Sequence, residues 1–298
     1  MKYHQPVLLN ETVDGLEINP DGIYVDVTFG GGGHSRAILQ KLENGRLFAF
    51  DQDADALSNS IDDERFMLIN QNFRYLKKSL RLHSITEVDG VMGDLGVSSH
   101  QFDAPERGFS IREDGVLDMR MNQSQPLCAK EVVNEYEVEQ LSDVLRKYGE
   151  LKNASSMALA IMRFRNDQKI ETTCDLKEAV KNNIPPHKSN KILAKLFQAI
   201  RIEVNEEMTA LEEMLLQSVE VLKSGGRLSF ISYHSLEDRM VKNLIKKGKF
   251  EGEVDKDFYG NIQLPLHAIN RKPILPAKEE IEQNSRARSA KLRIAERV

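Results

Sequence analysis

The residues best suited to chemistry are a run of four glycines and an aspartate that follows it. Gly30–Gly33 come directly after the apolar segment Tyr24–Phe29. Backbone this free is costly to order unless a ligand approaches closely or a turn needs a positive φ. Asp51 ends the next apolar segment, 19 residues after Gly32, where a carboxylate can accept hydrogen bonds from both hydroxyls of a ribose. The pattern predicts a site for an adenosine-containing cofactor; without Asp51, a tight turn would explain the glycines.

The identity of this cofactor follows from the residues around the glycines. Gly30 and Gly32 supply two positions of the dinucleotide fingerprint G-x-G-x-x-G/A, but Ser35 stands at the third. Asp26 adds a negative charge near the turn, which suits an amino group better than a pyrophosphate. S-adenosylmethionine has a ribose and an ammonium but no phosphate, so it fits better than NAD. An NAD-dependent dehydrogenase remains the alternative enzyme.

Strand and helix patterns alternate through the first hundred residues, which is typical of a mostly parallel sheet with helices on both faces. The predicted strands are Tyr24–Phe29, Arg46–Asp51, Phe66–Asn70 and Gly90–Leu95, and the predicted helices are Arg36–Leu42, Ala54–Ile61 and Tyr75–Leu82. The same alternation resumes with a helix through Met208 and Leu222 that ends at Gly225-Gly226, followed by a strand over Arg227–Ser232.

Residues 105–189 show loop and helix patterns and no convincing strand. Leu141, Val144, Leu145 and Tyr148 recur at helical spacing, and Gly149 is a plausible helix end. We therefore predict a discontinuous α/β domain over 1–104 and 199–298, with a helical domain over 105–198 inserted on the substrate side.

Composition narrows the class of protein. The 298 residues carry a net charge of −5, which argues against non-specific coating of nucleic acid. No apolar run reaches the roughly 18 residues of a membrane span, and the two cysteines are typical of free thiols in a reducing compartment. The sequence predicts a cytoplasmic protein without a membrane partner. A homodimer is one oligomeric state that it leaves open.

Seven blocks, in order over nearly the whole chain, resemble the MraW/RsmH family of ribosomal RNA small-subunit methyltransferases. The blocks are DVTFGGGGHS, DLGVSSHQFD, ERGFS, LDMRM, FQAIRIEVNEE, GGRLSFISYHSLEDR and NSRARSAKLRIAER. The resemblance implies a class I S-adenosylmethionine-dependent methyltransferase fold, Rossmann-like, with a mostly parallel seven-stranded sheet. It also implies methylation of N4 of a cytidine in the decoding region of 16S rRNA, with the small ribosomal subunit as partner.

Cofactor contacts carried over from the family's motifs fall on Gly32, Gly33, His34, Asp51, Phe73, Asp94 and Gln101. One departure from the family lies in the glycine turn that would bind the cofactor: Gly31 stands where the family often has arginine. A glycine there should not disturb a contact made through the backbone. Intact glycines, Asp51 and Asp94 also argue against the third function considered, a non-catalytic RNA-binding or assembly factor.

Asp94, Ser98 and His234 are the candidate catalytic residues. The N4 lone pair of cytosine is delocalised into the ring, so an acceptor for the N4–H and in-line positioning help the amine react. Asp94 ends the fourth predicted strand and Ser98 follows it; the alternatives are a turn residue and a simple loop. His234 is placed to accept the amine proton, but a structural histidine or an RNA contact would explain it too, and Ser235-x-x-Asp238 resembles a capping box. Methyl transfer from a sulfonium requires no metal.

The basic tail is the remaining candidate for RNA binding. Arg286 and Arg288 are predicted to contact phosphates. Arg107 and Arg120 lie at the start of the insertion. For them, phosphate contact and an ion pair with an acidic residue of the other domain are equal alternatives.

Overall fold

The chain forms two compact units, shown here by a computed structural model that describes residues 6–255 and 258–298. One unit combines Met1–Gly96 with Met208–Val298, and the other is Val97–Glu207. The predicted boundaries, 104/105 and 198/199, need correction. The second of them would cut an uninterrupted helix, Ser189–Val204, whose Phe197, Ile200 and Val204 all belong to the core of the helical unit.

Among the described residues, seven strands of the first unit form a single sheet with the order β3-β2-β1-β4-β5-β7-β6. The strands are β1 (Ile23–Asp26), β2 (Arg46–Phe50), β3 (Phe66–Ile69), β4 (Val88–Asp94), β5 (Leu222–Ser232), β6 (Leu266–Ala268) and β7 (Lys291–Arg297). Strands β1 to β5 are parallel, and β7 is antiparallel to both β5 and β6. The order reverses between β1 and β4, which is where an open α/β sheet binds its ligand. This architecture is the predicted fold class.

Helices cover both faces of this sheet. They are α1 (Leu9–Asp14), α2 (Gly33–Leu39), α3 (Leu76–Leu82), α10 (Glu207–Val221), α11 (Ser235–Lys247) and α12 (Lys278–Gln283). Neighbouring residues of β1 point to opposite faces: Tyr24 packs with α1 and α2, and Val25 packs with α3, α10 and α11. Burial on both faces explains why β1, β2 and β4 are apolar runs without alternation.

The second unit is helical, built from α4 (Ser99–Asp103), α5 (Ala129–Glu135), α6 (Val138–Lys147), α7 (Ala154–Asp167), α8 (Thr173–Val180) and α9 (Ser189–Val204). Its core includes Leu145, Met157, Ile161 and Leu176, all at 0 % exposure. Leu145 is one of the residues that the helical periodicity of the sequence indicated.

Two arginines of the helical unit, Arg107 and Arg120, make contacts within that unit. Arg120 forms an ion pair with Asp118 (2.7 Å) and donates to the carbonyl of Gln125. Arg107, 3 % exposed, donates to the carbonyls of Arg120 and Met121. The acidic partner of Arg120 therefore lies in its own unit, so the predicted pairing between domains is wrong for Arg120. For Arg107 it stays a prediction.

Three local predictions differ from the structure. The segment 54–61 forms a 3-10 helix over Ala54–Asn59 rather than an α-helix, because Asp53 caps a turn too short to continue. Leu222 begins β5 instead of ending α10, and the strand runs through Gly225-Gly226. Strand β6 was not predicted, since its three residues have no pattern of their own and depend on pairing with β7. No described helix has the length and apolarity needed to span a bilayer.

Candidate active site

The glycine run forms the turn from β1 into α2. Gly30 and Gly32 have φ values of 50° and 73°, a region that disfavours residues with a Cβ. The Gly32 amide donates to the carbonyl of Phe29 (2.7 Å), which closes the turn. Both glycines are thus required by backbone conformation.

Gly31 and Gly33 differ sharply in their surroundings. A Cβ at Gly31 would meet no atom within 4 Å, and Gly31 is exposed. A Cβ at Gly33 would lie 2.1 Å from Cγ of Pro6. The open side of the turn, where a ligand has access, is therefore at Gly30 and Gly31, whereas Gly33 is needed for packing against the N-terminal segment.

Asp51 fixes this turn through its carboxylate. Oδ2 accepts from the amide of Gly30 (2.8 Å), and Oδ1 accepts from the amide of Asp53 (2.9 Å). Each oxygen keeps a second lone pair, so a ribose diol can still be accepted. Burial raises the pKa of Asp51 to about 6, with Asp53 and Asp26 adding to the effect through their negative charge.

Phe73 lies beside the loop that follows Asp51. Nδ2 of Asn70 donates to the carbonyl of Asp51 (2.9 Å), and Nδ2 of Asn72 donates to Oε1 of Gln52 (2.8 Å). Phe73, partly buried, starts a 3-10 helix directly after Asn72. The ends of β2 and β3 are thereby joined, and Phe73 is held at the same edge as Asp51.

The His34 side chain has a structural role. Its Nε2 lies 3.1 Å from the carbonyl of Val7 and must carry the proton to donate to it. Burial lowers the pKa of His34 to about 4, so the ring is neutral. The predicted cofactor contact of His34 would therefore involve its backbone, which lies in the first turn of α2.

A chain of buried and partly buried polar groups connects the glycine turn with the end of β4. The hydroxyl of Ser35 donates to Oδ2 of Asp26 (2.7 Å), and the amide of Thr28 donates to Oδ1 (3.0 Å). The amide of Asp94 donates in turn to Oγ1 of Thr28 (2.6 Å). Thr28 thus fixes the position of Asp94 relative to the turn.

Asp94 is held by its side chain as well. The hydroxyl of Tyr233, the residue after β5, donates to Oδ1 at 2.8 Å. Burial raises the pKa of Asp94 to about 7, against the opposing effect of the Tyr233 hydrogen bond; Asp26, Glu237 and Glu280 add repulsion. A carboxyl with such a pKa can gain and lose a proton at neutral pH.

His234 caps α11, and this corrects the predicted capping box by one residue. Its Nδ1 accepts from the amide of Glu237 (3.4 Å), and Oε2 of Glu237 accepts from the amides of Tyr233 (2.8 Å) and His234 (3.2 Å). Glu237 is 3 % exposed. The box is therefore His234-x-x-Glu237, not Ser235-x-x-Asp238, and Asp238 instead pairs with Arg293 at 2.7 Å.

Ser98 and Gln101 belong to the helical unit and cap α4 together. Oγ of Ser98 accepts from the amide of Gln101 (3.2 Å), and Oε1 of Gln101 accepts from the amide of Ser98 (3.1 Å). Gln101 is buried. The capping box explains both residue types, so the catalytic role of Ser98 and the cofactor contact of Gln101 remain predictions.

The electrostatics of the strand ends indicate what the site can bind. Within the described residues, Asp26, Asp51 and Asp94 accept hydrogen bonds only from amides and hydroxyls, and none has a Lys or Arg partner. Burial raises the pKa of all three. Such a site favours a ligand with positive charge and hydroxyl donors, and it disfavours a pyrophosphate. S-adenosylmethionine, with its sulfonium, ammonium and ribose, fits this donor set.

Two residues of the site were missed by the sequence analysis. Thr28 and Tyr233 stand in the motifs of the family, but their contacts with Asp94 were not predicted. Their hydroxyls hold the backbone and the carboxylate of Asp94, and Tyr233 also packs against the cluster of Val7, Ile231 and Leu292. Neither contact has a local sequence signal, because each depends on the pairing of strands distant in sequence.

Comparison with known proteins adds the family. The model of the MraW methylase family matches residues 1–298. A ribosomal RNA small subunit methyltransferase H of Flavobacterium johnsoniae is 62% identical over 299 residues, covering 100% of this chain and 99% of the relative. Its counterpart in Christiangramia forsetii is 60% identical with the same coverage.

Among solved structures, an rRNA methylase of Streptococcus thermophilus covers 100% of this chain and 99% of its own, with 13% identity and a TM-score of 0.43. With this identity and TM-score, the similarity supports no conclusion about fold or function. The fold rests on the strand order, and the whole-length match together with these identities shows that the chain belongs to the MraW methylase family.

Proposed function

We propose that the protein transfers a methyl group from S-adenosylmethionine to the exocyclic N4 amine of a cytidine in the decoding region of 16S rRNA. Methylation of small-subunit rRNA is supported by the family and by the names of the relatives. The choice of an amine as acceptor is supported mainly by the position and protonation behaviour of Asp94.

The donor site consists of residues on the sheet unit. Asp51 accepts the ribose hydroxyls, and the open turn at Gly30 and Gly31 admits the cofactor to the backbone. Asp26 and Asp94 provide negative charge for the ammonium and the sulfonium. When bound, S-adenosylmethionine supplies a sulfonium methyl group that an amine nitrogen can take by in-line displacement.

Asp94 acts on the acceptor amine. Oδ1 is engaged by the hydroxyl of Tyr233, which leaves Oδ2 to accept a hydrogen bond from the N4–H. This bond draws electron density towards the nitrogen, and the carboxylate then takes the proton that the methylated amine must lose. We assign this proton to Asp94 rather than His234, because Nδ1 of His234 accepts from the amide of Glu237 and Nε2 lies 3.1 Å from Oε1 of the same residue.

The basic tail divides into two parts. Arg293 and Lys291 both contact Asp238, so they serve the sheet unit. Arg286 and Arg288 are exposed on a 3-10 helix, Ser285–Ser289, and their contact with rRNA phosphates remains a prediction.

Mass mapping of 16S rRNA from a strain lacking this gene tests the proposal. We expect one cytidine of the decoding region to lose a methyl group on N4, and wild-type protein to restore it. Asp94→Asn should bind S-adenosylmethionine without restoring the mark. An unchanged methylation map, or loss of a ring-carbon or 2′-O methyl group instead, would refute the amine assignment.

A further inference from the structure

The first half of α9 has a positively charged face without an assigned function. Lys188, Lys191 and Lys195 are separated by three and four residues, so they lie on one side of the helix. Lys188 and Lys191 are exposed and Lys195 is partly exposed. We call these three residues the lysine face.

The lysine face differs in its pairing from several arginines of the helical unit. Arg120, Arg146 and Arg201 form ion pairs with Asp118, Asp143 and Glu207, and Arg165 donates to two carbonyls. None of the three lysines forms an ion pair or hydrogen bond with another described residue. Between Ile184 and Ile202 the chain contains no acidic residue.

The position of these lysines is unfavourable for the helix itself. Lys188 is the N-cap, Lys191 lies in the first turn, and that turn has no acidic residue. A helix N-terminus carries partial positive charge, so cations there destabilise it slightly. The opposite face packs into the core through Leu196, Phe197 and Ile200, which leaves the lysines directed to solvent.

We propose that the lysine face is a docking surface for phosphates of the rRNA substrate. Three unpaired ammonium groups along two turns of a rigid helix match the charge of an RNA backbone, and they bind phosphate without reading sequence. The proposal rests on the rRNA substrate proposed above and adds a part of its binding surface. A basic face of this kind would also raise the association rate through electrostatic steering.

The test compares Lys188/Lys191/Lys195→Gln with the wild type in binding to small subunits from a strain lacking this gene. Glutamine has nearly the helix propensity of lysine, so α9 should persist. We expect affinity about tenfold weaker at 0.15 M salt, and a log–log salt slope shallower by up to about 0.7–0.9 per lost phosphate contact. The triple Lys→Arg variant should retain both.

A matched control removes the same charge from lysines that already have partners. Lys41, Lys77 and Lys223 pair with Asp14, Glu220 and Asp89, and the triple Gln variant there should keep the wild-type salt slope. Equal losses in both variants would mean that net charge alone matters, and unchanged binding of the lysine-face variant would refute the proposal. Both variants should bind S-adenosylmethionine normally, and wild-type protein that fails to methylate these subunits would refute the proposed function instead.

Discussion

The carboxylates at the strand ends of the sheet unit differ from Asp118 of the helical unit in how their charge is compensated. In the sheet unit, burial raises the pKa of Asp94 to about 7 and that of Asp51 to about 6. In the helical unit, burial would likewise raise the pKa of Asp118, but the hydrogen bonds of Arg120 outweigh it and lower the pKa. Asp118 is thus neutralised inside the helical unit, whereas the described residues offer no cation to the carboxylates at the strand ends.

This contrast identifies the functional edge without reference to any relative. A protein gains no stability from clustering Asp26, Asp51 and Asp94 without a cation, because each charge is desolvated and repels the others. Perturbed carboxyls of this kind are concentrated at functional sites. Substitutions at these carboxylates and at the glycine turn test the contrast between uncompensated and neutralised carboxylates, and Asp94 should give the largest effect.

Asp94→Asn should have the largest effect, and in two directions. We expect single-turnover methylation to slow by about 10²–10³-fold, the scale of losing a preorganised hydrogen bond to the reacting group. The folded-state pKa lies above its ordinary value, so the protonated carboxyl contributes stability that is lost as pH rises from about 4 through about 7. The cofactor-free variant should therefore be more stable than the wild type at pH 8, by on the order of 1 kcal/mol after solvent screening.

Urea unfolding of both proteins at pH 5 and pH 8 measures the stability difference. The wild type should lose stability between these values and Asp94→Asn should lose less. A variant less stable than the wild type at pH 8 would show that the Asp94 charge is satisfied within the protein.

Asp51→Ala should weaken S-adenosylmethionine binding by about 1.5–3 kcal/mol, the scale of hydrogen bonds to a charged group. Asp51→Asn should lose less, since its carbonyl can still accept one of the bonds. Wild-type affinity should fall as pH drops through about 6, because the protonated carboxyl accepts the ribose hydroxyls less well. Calorimetry from pH 5 to 8 measures this, and an equal decline in Asp51→Asn would assign the titration to another group.

Gly31 and Gly33, the two glycines of the run without a positive φ, should separate packing from ligand access. Gly33→Ala places a Cβ against Pro6 and should lower the free energy of unfolding by about 1–3 kcal/mol, as overpacking does. Gly31→Ala meets no protein atom, so stability should change by less than about 0.5 kcal/mol. Thermal unfolding of both variants without cofactor gives the comparison, and equal destabilisation would contradict the described turn.

Asp118→Asn should have a small effect on stability, with a pH dependence opposite to that of Asp94→Asn. It should cost about 1 kcal/mol at pH 7 through the weakened bonds with Arg120. Because the folded-state pKa is lowered, the stability from Asp118 is present above about pH 4 and lost as pH falls through the folded-state value. Urea unfolding should thus show the same loss in free energy of unfolding at pH 5 and pH 8. A loss that differs between the two pH values would contradict the contrast with Asp94.

Periodicity and turn chemistry were sufficient to predict much of the fold. The strands near Tyr24, Arg46, Phe66 and Gly90 are confirmed because strands buried on both faces appear as apolar runs. Strand β6 was not predictable, since it exists only through pairing with β7. The unit boundaries were misplaced because α9 carries one continuous pattern across the predicted junction at 198/199.

The site was predictable by residue type and less so by role. The places of Asp51 and Asp94 at strand ends follow from the alternation of strands and helices. That Asp51 fixes Gly30, that His34 donates to Val7 and that Tyr233 holds Asp94 depend on tertiary contacts. Ser98 and Gln101 were chosen as site residues, yet the structure shows a capping box that local sequence rules also predict.

The central claim is that the uncompensated carboxylates of the sheet unit serve a positively charged methyl donor. Calorimetry of the cofactor-free protein with S-adenosylmethionine and S-adenosylhomocysteine, at pH 5.5 and pH 8, tests it directly, because the two ligands differ in the charged methyl-sulfonium. We predict that both bind, that NAD does not, and that affinity for S-adenosylmethionine rises more with pH than affinity for S-adenosylhomocysteine. Identical pH dependence for the two ligands, or binding of NAD in their place, would contradict the account.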